Sequence, residues 1–264
     1  MSLKNIPLLF LCINSFIFAQ GTYLSFHPAS FYTYGVYDKN KNSVGYSAYA
    51  TLGINYYDAI TLSYDNTKII DKNEFNYNQN SFMVSGIKNL YPYYIKANYS
   101  YLNGKYNYKP FKFEYSDFTN LYNLSITRIY DNIFCGLSYT FINIKGNKSV
   151  QINQPQFLFD YMVSPDFIVS YRGVYSAIKS KSPIYEDFLV GEISDDNRKL
   201  ISHNISLNWY LNSTIFTKVE VLFGKRSYFF NTDYLTFYNQ DDTQNLHIIS
   251  RIDAELFQNF RINF

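Results

Sequence analysis

The side chains able to do chemistry are few and poorly grouped. The chain holds three histidines and two cysteines. In "LISHNISLNW", Ser206 and His203 lie close enough in sequence to suggest an acyl-transfer couple. Residues i and i+2 share one face of a strand, so His203 sides with Ile205 and Ser206 points away. That removes the hydrogen-bond reach an activated nucleophile needs, and His203 reads instead as a rim residue above an apolar band. His27 precedes the first clear strand, and His247 stands ahead of Arg251, Asp253 and Glu255 without zinc-ligand spacing. Glu186, Asp187, Glu192, Asp195, Asp196, Asp233, Asp241 and Asp242 lack the regular order of a calcium loop and read as solvated charge. No Gly-rich phosphate cradle and no Cys-x-x-Cys pair occurs. Cys135, flanked at two-residue spacing by Ile133 and Leu137, reads as a small packing residue. The expectation is a protein that is not an enzyme, with no catalytic residue, metal or cofactor.

The other candidates are charges spaced along alternating segments: Lys96, Arg172, Lys218, Glu220, Arg251, Asp253, Glu255 and Arg261. Gathered on one wet face, they would form either a constriction that biases permeation by charge or a salt-bridged filling. Mixed signs neutralise one another more readily than they select, which favours the filling. Asp253 and Glu255 are expected to pair with Arg251, Arg261 or the basic Lys218 and Arg226.

Strands must position these charges. In "IISRIDAELFQNFRINF", Ile248, Ser250, Ile252, Ala254, Leu256, Gln258, Phe260, Ile262 and Phe264 fall on one side. His247, Arg251, Asp253, Glu255, Asn259, Arg261 and Asn263 fall on the other, with Ile249 and Phe257 as intruders. Period-two alternation marks a strand with an oily and a polar face. The same pattern fills "SVGYSAYATLGINY" and resumes after Tyr57-Asp58, making a hairpin. Tight breaks recur at 88–94, around Asp131, at 163–167 and at 211–214. Looser polar links lie at 38–42, 66–80, 103–118, 145–149, 179–199 and 231–245. Roughly twelve strands follow, near 30–38, 43–56, 59–69, 80–89, 92–103, 117–130, 133–145, 150–162, 167–179, 199–211, 215–230 and 246–264, with ten to fourteen as the range. Pro28 breaks the approach to the first, and Pro155 sits early in the eighth.

The opening "MSLKNIPLLFLCINSFIFAQG" supplies Lys4 and an apolar stretch from Ile6 to Phe18, the form of a secretory signal peptide over 1–19. Cleavage after Ala19 would leave Cys135 as the one cysteine, so an exported chain would carry no disulfide. Residues 20–264 show no linker or compositional shift and read as one domain. Aromatics are 20%, with 29 Tyr and 24 Phe against 1 Trp, and mean hydropathy is −0.22. Tyrosine suits the boundary between hydrocarbon and water. The net charge of +2 comes without a basic tract, so no nucleic-acid partner is expected.

What decides between a soluble sandwich and a membrane barrel is the second face of each strand. It carries Ser43, Ser47 and Thr51, then Lys96, Asn98 and Ser100, Asn123, Ser125 and Thr127, and Gly136, Ser138 and Thr140. Such a face suits a watery interior, with the oily face turned to lipid. Lipid demands that every backbone polar group be paired, which a closed antiparallel sheet achieves. On Phe260, Ile262 and Phe264 the tail resembles the terminal strand of bacterial outer-membrane β-barrel proteins, departing from the usual pattern at Asn259 and Phe257. The leader's "FAQ" ending is similar to exported proteins of Bacteroidota-like diderms. The resemblance implies an all-β, closed antiparallel transmembrane barrel in the outer membrane. Its partners would be outer-membrane lipid, the barrel-assembly machinery that recognises the tail, and other envelope proteins. A porin-like passive channel for small solutes is the leading expectation. A non-conducting structural, adhesive or secretion-associated barrel is the alternative, and a lipid hydrolase a remote one.

Overall fold

A computed structural model describes residues 15–263 apart from 20–21, 37–40, 55–57, 72–74, 109–112, 147–148, 187–188, 213, 228, 233–235, 239–243 and 258–259. The first five strands are β1 (Ser15–Ala19), β2 (Thr22–Val36), β3 (Lys41–Ile54), β4 (Asp58–Asp71) and β5 (Phe75–Leu90). β6 (Tyr93–Tyr108), β7 (Phe113–Tyr130), β8 (Ile133–Lys145), β9 (Ser149–Ser164) and β10 (Phe167–Glu186) follow. β11 (Leu189–Tyr210), β12 (Ile215–Arg226), β13 (Phe229–Asn231), β14 (Thr236–Tyr238), β15 (Gln244–Phe257) and β16 (Phe260–Asn263) complete the chain. One antiparallel sheet runs β1 to β12 in sequence order, then β15 and β16, while β13 and β14 pair apart from it. Twelve of its strands are at least 12 residues long, and short β1 and β16 sit at its two edges.

The expected closure is not what is observed: β2 carries β1 on its free side and β15 carries β16, so the sheet is open. Unpaired backbone groups must find partners, and at both edges the nearest stretch of the same chain supplies them. The tail, expected as one strand over 246–264, instead doubles back, with Asp253 opposite Asn263 and Glu255 opposite Arg261. The first long strand begins at Thr22 rather than near 30. Pro28 is tolerated because β1 reaches only Phe26, leaving Pro28 a neighbour on one side. The link expected over 179–199 is largely paired strand, with Lys181 opposite Asp195. The eleventh expected strand stops at Arg226, and its last residues enter the separate hairpin.

Burial is inverted relative to a soluble sheet. Thr140, Gln154 and Glu220 are 0% exposed, while Leu124 is 51% and Leu137 67% exposed. The exposed face has defined margins. At one, Tyr64 Oη donates to Asn80 at 2.8 Å, Tyr99 Oη to Asn120 at 3.0 Å, and Tyr139 Oη to Asn153. At the other, the Arg128 guanidinium lies over the Tyr93 and Tyr130 rings, 5.5 and 4.3 Å from their centroids. On β7 the eleven residues from Asn120 to Tyr130 match the roughly 9–11 of a tilted membrane-crossing strand. The turn at Asp131, with φ 46°, uses a side chain that accepts the left-handed region readily.

Candidate functional site

The buried polar face is organised by a segment that leaves the sheet and packs against it. β12 ends in a bulge: Gly224 has φ +91°, and the register with β15 shifts between Phe223 and Arg226. A Cβ at Gly224 would sit 2.6 Å from the Ile201 carbonyl oxygen, so glycine suits both the backbone and the space. Arg226 donates from Nε and Nη2 to Gln244 Oε1 at 3.1 and 3.0 Å, tying the two ends of the connection. Between them the β13–β14 hairpin folds onto the polar face, with Phe230 only 1% exposed.

Side-chain amides grip it. Gln154 Nε2 donates to the Phe230 carbonyl at 2.8 Å, and the Phe230 N–H donates back to Gln154 Oε1 at 3.2 Å. Thr232 Oγ1 donates to Gln156 Oε1 at 3.1 Å, and Lys96 Nζ donates to the Thr232 carbonyl at 2.9 Å. The hairpin thus bridges β9 to β6 across the curled sheet. Pro155 stands between the two glutamines. The ladder from β9 to β10 lapses there, between the Val174–Gln156 and Ala177–Asn153 pairs, because proline has no N–H to give.

Phe230 packs with Leu121, Ile142, Ile144, Val150, Ile152, Ile178 and Leu200. These are apolar residues on the face expected to be polar, and sequence reasoning missed them. The signal was present in "FINIKGNKSVQIN", where Ile142, Ile144, Val150 and Ile152 share the side of Ser138, Thr140 and Gln154. Their partner, 76 residues further on in the Gln154–Phe230 contact, was not legible.

The charged residues sort into small groups. Arg172 Nη1 meets Asp160 Oδ1 at 2.6 Å and donates to the Phe159 and Tyr171 carbonyls at 3.0 Å. Lys218 Nζ lies 3.1 Å from Glu220 Oε2, and Asn204 Nδ2 donates to Glu220 Oε1 at 2.9 Å. Arg251 is placed opposite Lys218 by the register. Lys96 and Arg172 come together around a cavity of about 250 Å³ that includes Asp160 and Thr232, whereas Lys218 and Glu220 do not line it. A second cavity, about 350 Å³, lies between the β3–β6 wall and Phe230. The hairpin therefore touches both, with Thr232 at one and Phe230 at the other. The side chains of Asp253, Glu255, Arg261, Phe260, Ile262 and Phe264 lie outside the described residues. Among the described residues no cluster of three His, Cys, Asp or Glu is placed to hold a metal ion.

His203 is not a rim residue. It faces outward within the apolar band, opposite Gly173, which lies four residues from Ala177, the partner of Asn153 at the margin. Its Nδ1 is 2.8 Å from Tyr171 Oη, and its ring stacks on Tyr171 and on Phe223, with centroids 6.0 and 5.1 Å apart. Ser206 is buried on the opposite face, so the two cannot act as a couple.

At the long-link end of the polar face, Tyr106 stacks on Tyr115 at 5.0 Å, and Tyr77 pairs with Tyr106 across the ladder. Asp117 sits beneath them opposite Gly104, where a Cβ would fall 2.7 Å from Tyr77 Oη. Burial raises the Asp117 carboxyl above its usual range, against the lowering effect of backbone N–H bonds from Asp117 and Gly104. A carboxyl raised on folding binds its proton more tightly in the native state, so native stability falls as pH climbs through the unfolded and then the folded value. Asp117→Asn should therefore melt higher than the parent at neutral pH, with the gap narrowing towards acid. Melting curves across that pH range check it; a gap that widens on acidification would refute the buried, proton-retaining carboxyl.

No known protein family matches the chain, and no curated protein matches it. Solved structures similar to it include the alcaligin outer-membrane receptor FauA of Bordetella pertussis, at 10% identity and TM-score 0.48, covering 95% of this chain and 48% of that one. OmpT, an outer-membrane protein of Vibrio cholerae, is similar at 7% identity and TM-score 0.48, covering 95% of this chain and 100% of that one. The ferric-catecholate import receptor Fiu of E. coli K12 is similar at 7% identity and TM-score 0.44, covering 97% and 56%. The chain spans about half the length of the two receptors. A copper transporter, OprC, is similar at 8% identity and TM-score 0.48, covering 95% of this chain and 51% of that one. The expectation that this chain is not an enzyme is withdrawn, because a strand architecture does not decide function.

Proposed function

We propose that the chain is an outer-membrane β-barrel of a Bacteroidota-like diderm, forming a narrow, porin-like passage for small solutes that its inward hairpin constricts. The observation that carries this reading is the inverted burial: serines, asparagines and glutamines are enclosed, while leucines, isoleucines and tyrosines are exposed between two aromatic margins. Hydrocarbon is the solvent that suits such a surface, and it tolerates spanning sheets only without free edges. Closure would bring β2 against β15. Removal of residues 1–19 as a signal peptide would take β1 off the edge of β2, and straightening of residues 260–263 would offer that edge a partner. Barrel-assembly machinery and outer-membrane lipid are the partners this route requires.

A non-conducting scaffold is the second reading. The tightly packed interior favours it, since Gln154, Thr140 and Glu220 are fully enclosed. Planar-bilayer recording of detergent-purified, heat-modifiable protein separates the two. Small, discrete conductance steps are expected. A folded barrel that stays silent would make it a scaffold, and a monomer soluble without detergent would end the membrane reading altogether.

A further inference from the structure

We propose that the 350 Å³ cavity between the β3–β6 wall and the hairpin is a binding subsite for a neutral polyol of monosaccharide size, an inference that rests on the narrow-passage reading and names its solute class. The volume falls at the lower end of pockets that enclose small ligands, around 300 Å³ and above. Its wall is rich in hydroxyls, which both donate and accept, as a polyol does. Tyr49 Oη donates to Asp65 Oδ1 at 3.0 Å and Ser81 Oγ to Asp65 Oδ2 at 3.2 Å, so the wall holds the carboxylate with one bond to each oxygen. Each carboxylate oxygen has capacity for a further donor, which a sugar hydroxyl supplies. Gln79 is fixed by Tyr77 Oη, which donates to its Oε1 at 2.8 Å. Phe230 closes the opposite side of the cavity. Among the described residues no lysine or arginine lines the cavity, so an anionic solute would face the Asp65 carboxylate there.

The test uses full-length protein in detergent, first shown to be a heat-modifiable barrel, and titration calorimetry with D-glucose, choline chloride and glucose 6-phosphate. Saturable glucose binding is expected at roughly millimolar strength, with the two charged probes weaker. Asp65→Asn should weaken glucose about tenfold, the cost of hydrogen bonds to an ionised acceptor. Gln79→Ala should weaken it severalfold and decides the matter alone if Asp65→Asn does not fold. A folded barrel with no saturable glucose binding, binding unchanged in the folded variants, or choline binding more tightly than glucose would each overturn the subsite. A silent bilayer with glucose binding intact would instead remove the passage while leaving the subsite standing.

Discussion

Removal of the inward hairpin, residues 229–238, is expected to raise single-channel conductance severalfold. The hairpin lines two polar cavities, with Phe230 at one and Thr232 at the other, so its removal would enlarge both. Its hold on the wall is specific: two bonds between Gln154 and the Phe230 backbone, one from Thr232 to Gln156, and one from Lys96 to the Thr232 carbonyl. Phe230 also fills the apolar patch on the polar face, and truncating a buried phenylalanine costs about 3–5 kcal/mol. A shortened protein should therefore be both leakier and less stable. The paired variant Gln154→Ala with Lys96→Met, which removes three of these four bonds without deleting the hairpin, should show a smaller rise with noisier open levels. Bilayer recordings of the three proteins under one salt condition decide it. If the deletion conducts no better than the parent, the hairpin is not the constriction.

Glu220→Ala should cost about 3–5 kcal/mol of stability, the range for removing one member of a buried ion pair. Glu220 is 0% exposed and Lys218 9%, and the strand face behind them is the oily one. The truncation leaves the Lys218 ammonium without the carboxylate at 3.1 Å and the Asn204 amide without its acceptor at 2.9 Å. The double variant Lys218→Met with Glu220→Met should recover most of the loss, because replacing a buried pair by apolar groups of similar size is often neutral. Reversible urea unfolding from lipid vesicles measures both. A single-variant loss below about 1 kcal/mol, the scale of exposed pairs, would mean water reaches this stretch of the interior. The same measurement thus reports on how wet the passage is.

The two experiments bear on different sides of one question. Conductance reads whether the hairpin limits an existing path. The Glu220 series reads whether the wall beside β15 is solvated. An open path with a dry Glu220 would confine the passage to the side of β3–β6, where the larger of the two hairpin-lined cavities lies.

Much of this molecule could be read along the chain. The alternation of Tyr122, Leu124 and Ile126 with Asn123, Ser125 and Thr127 assigned each residue to its face. In the structure Leu124 is exposed and Asn123 and Ser125 are buried. The tight turns at Asp131 and at 165–166 fall where polar breaks interrupt the pattern. Period two is a property of neighbouring residues, and lipid or water on one face repeats it at every strand, so a single strand carries the whole message. The inward hairpin was not legible, because "YFFNTDYLTFY" alternates as poorly as a loop and its partners Gln154, Gln156 and Lys96 come from two distant strands. The placement of His203 in the apolar band rather than at its rim likewise required the register with Tyr171 and Phe223. Which segments are strands, and which side of each is oily, follow from local spacing and solvent. What fills the interior and how the sheet's edges are met depend on contacts between segments far apart in the chain, where no local period records the partner.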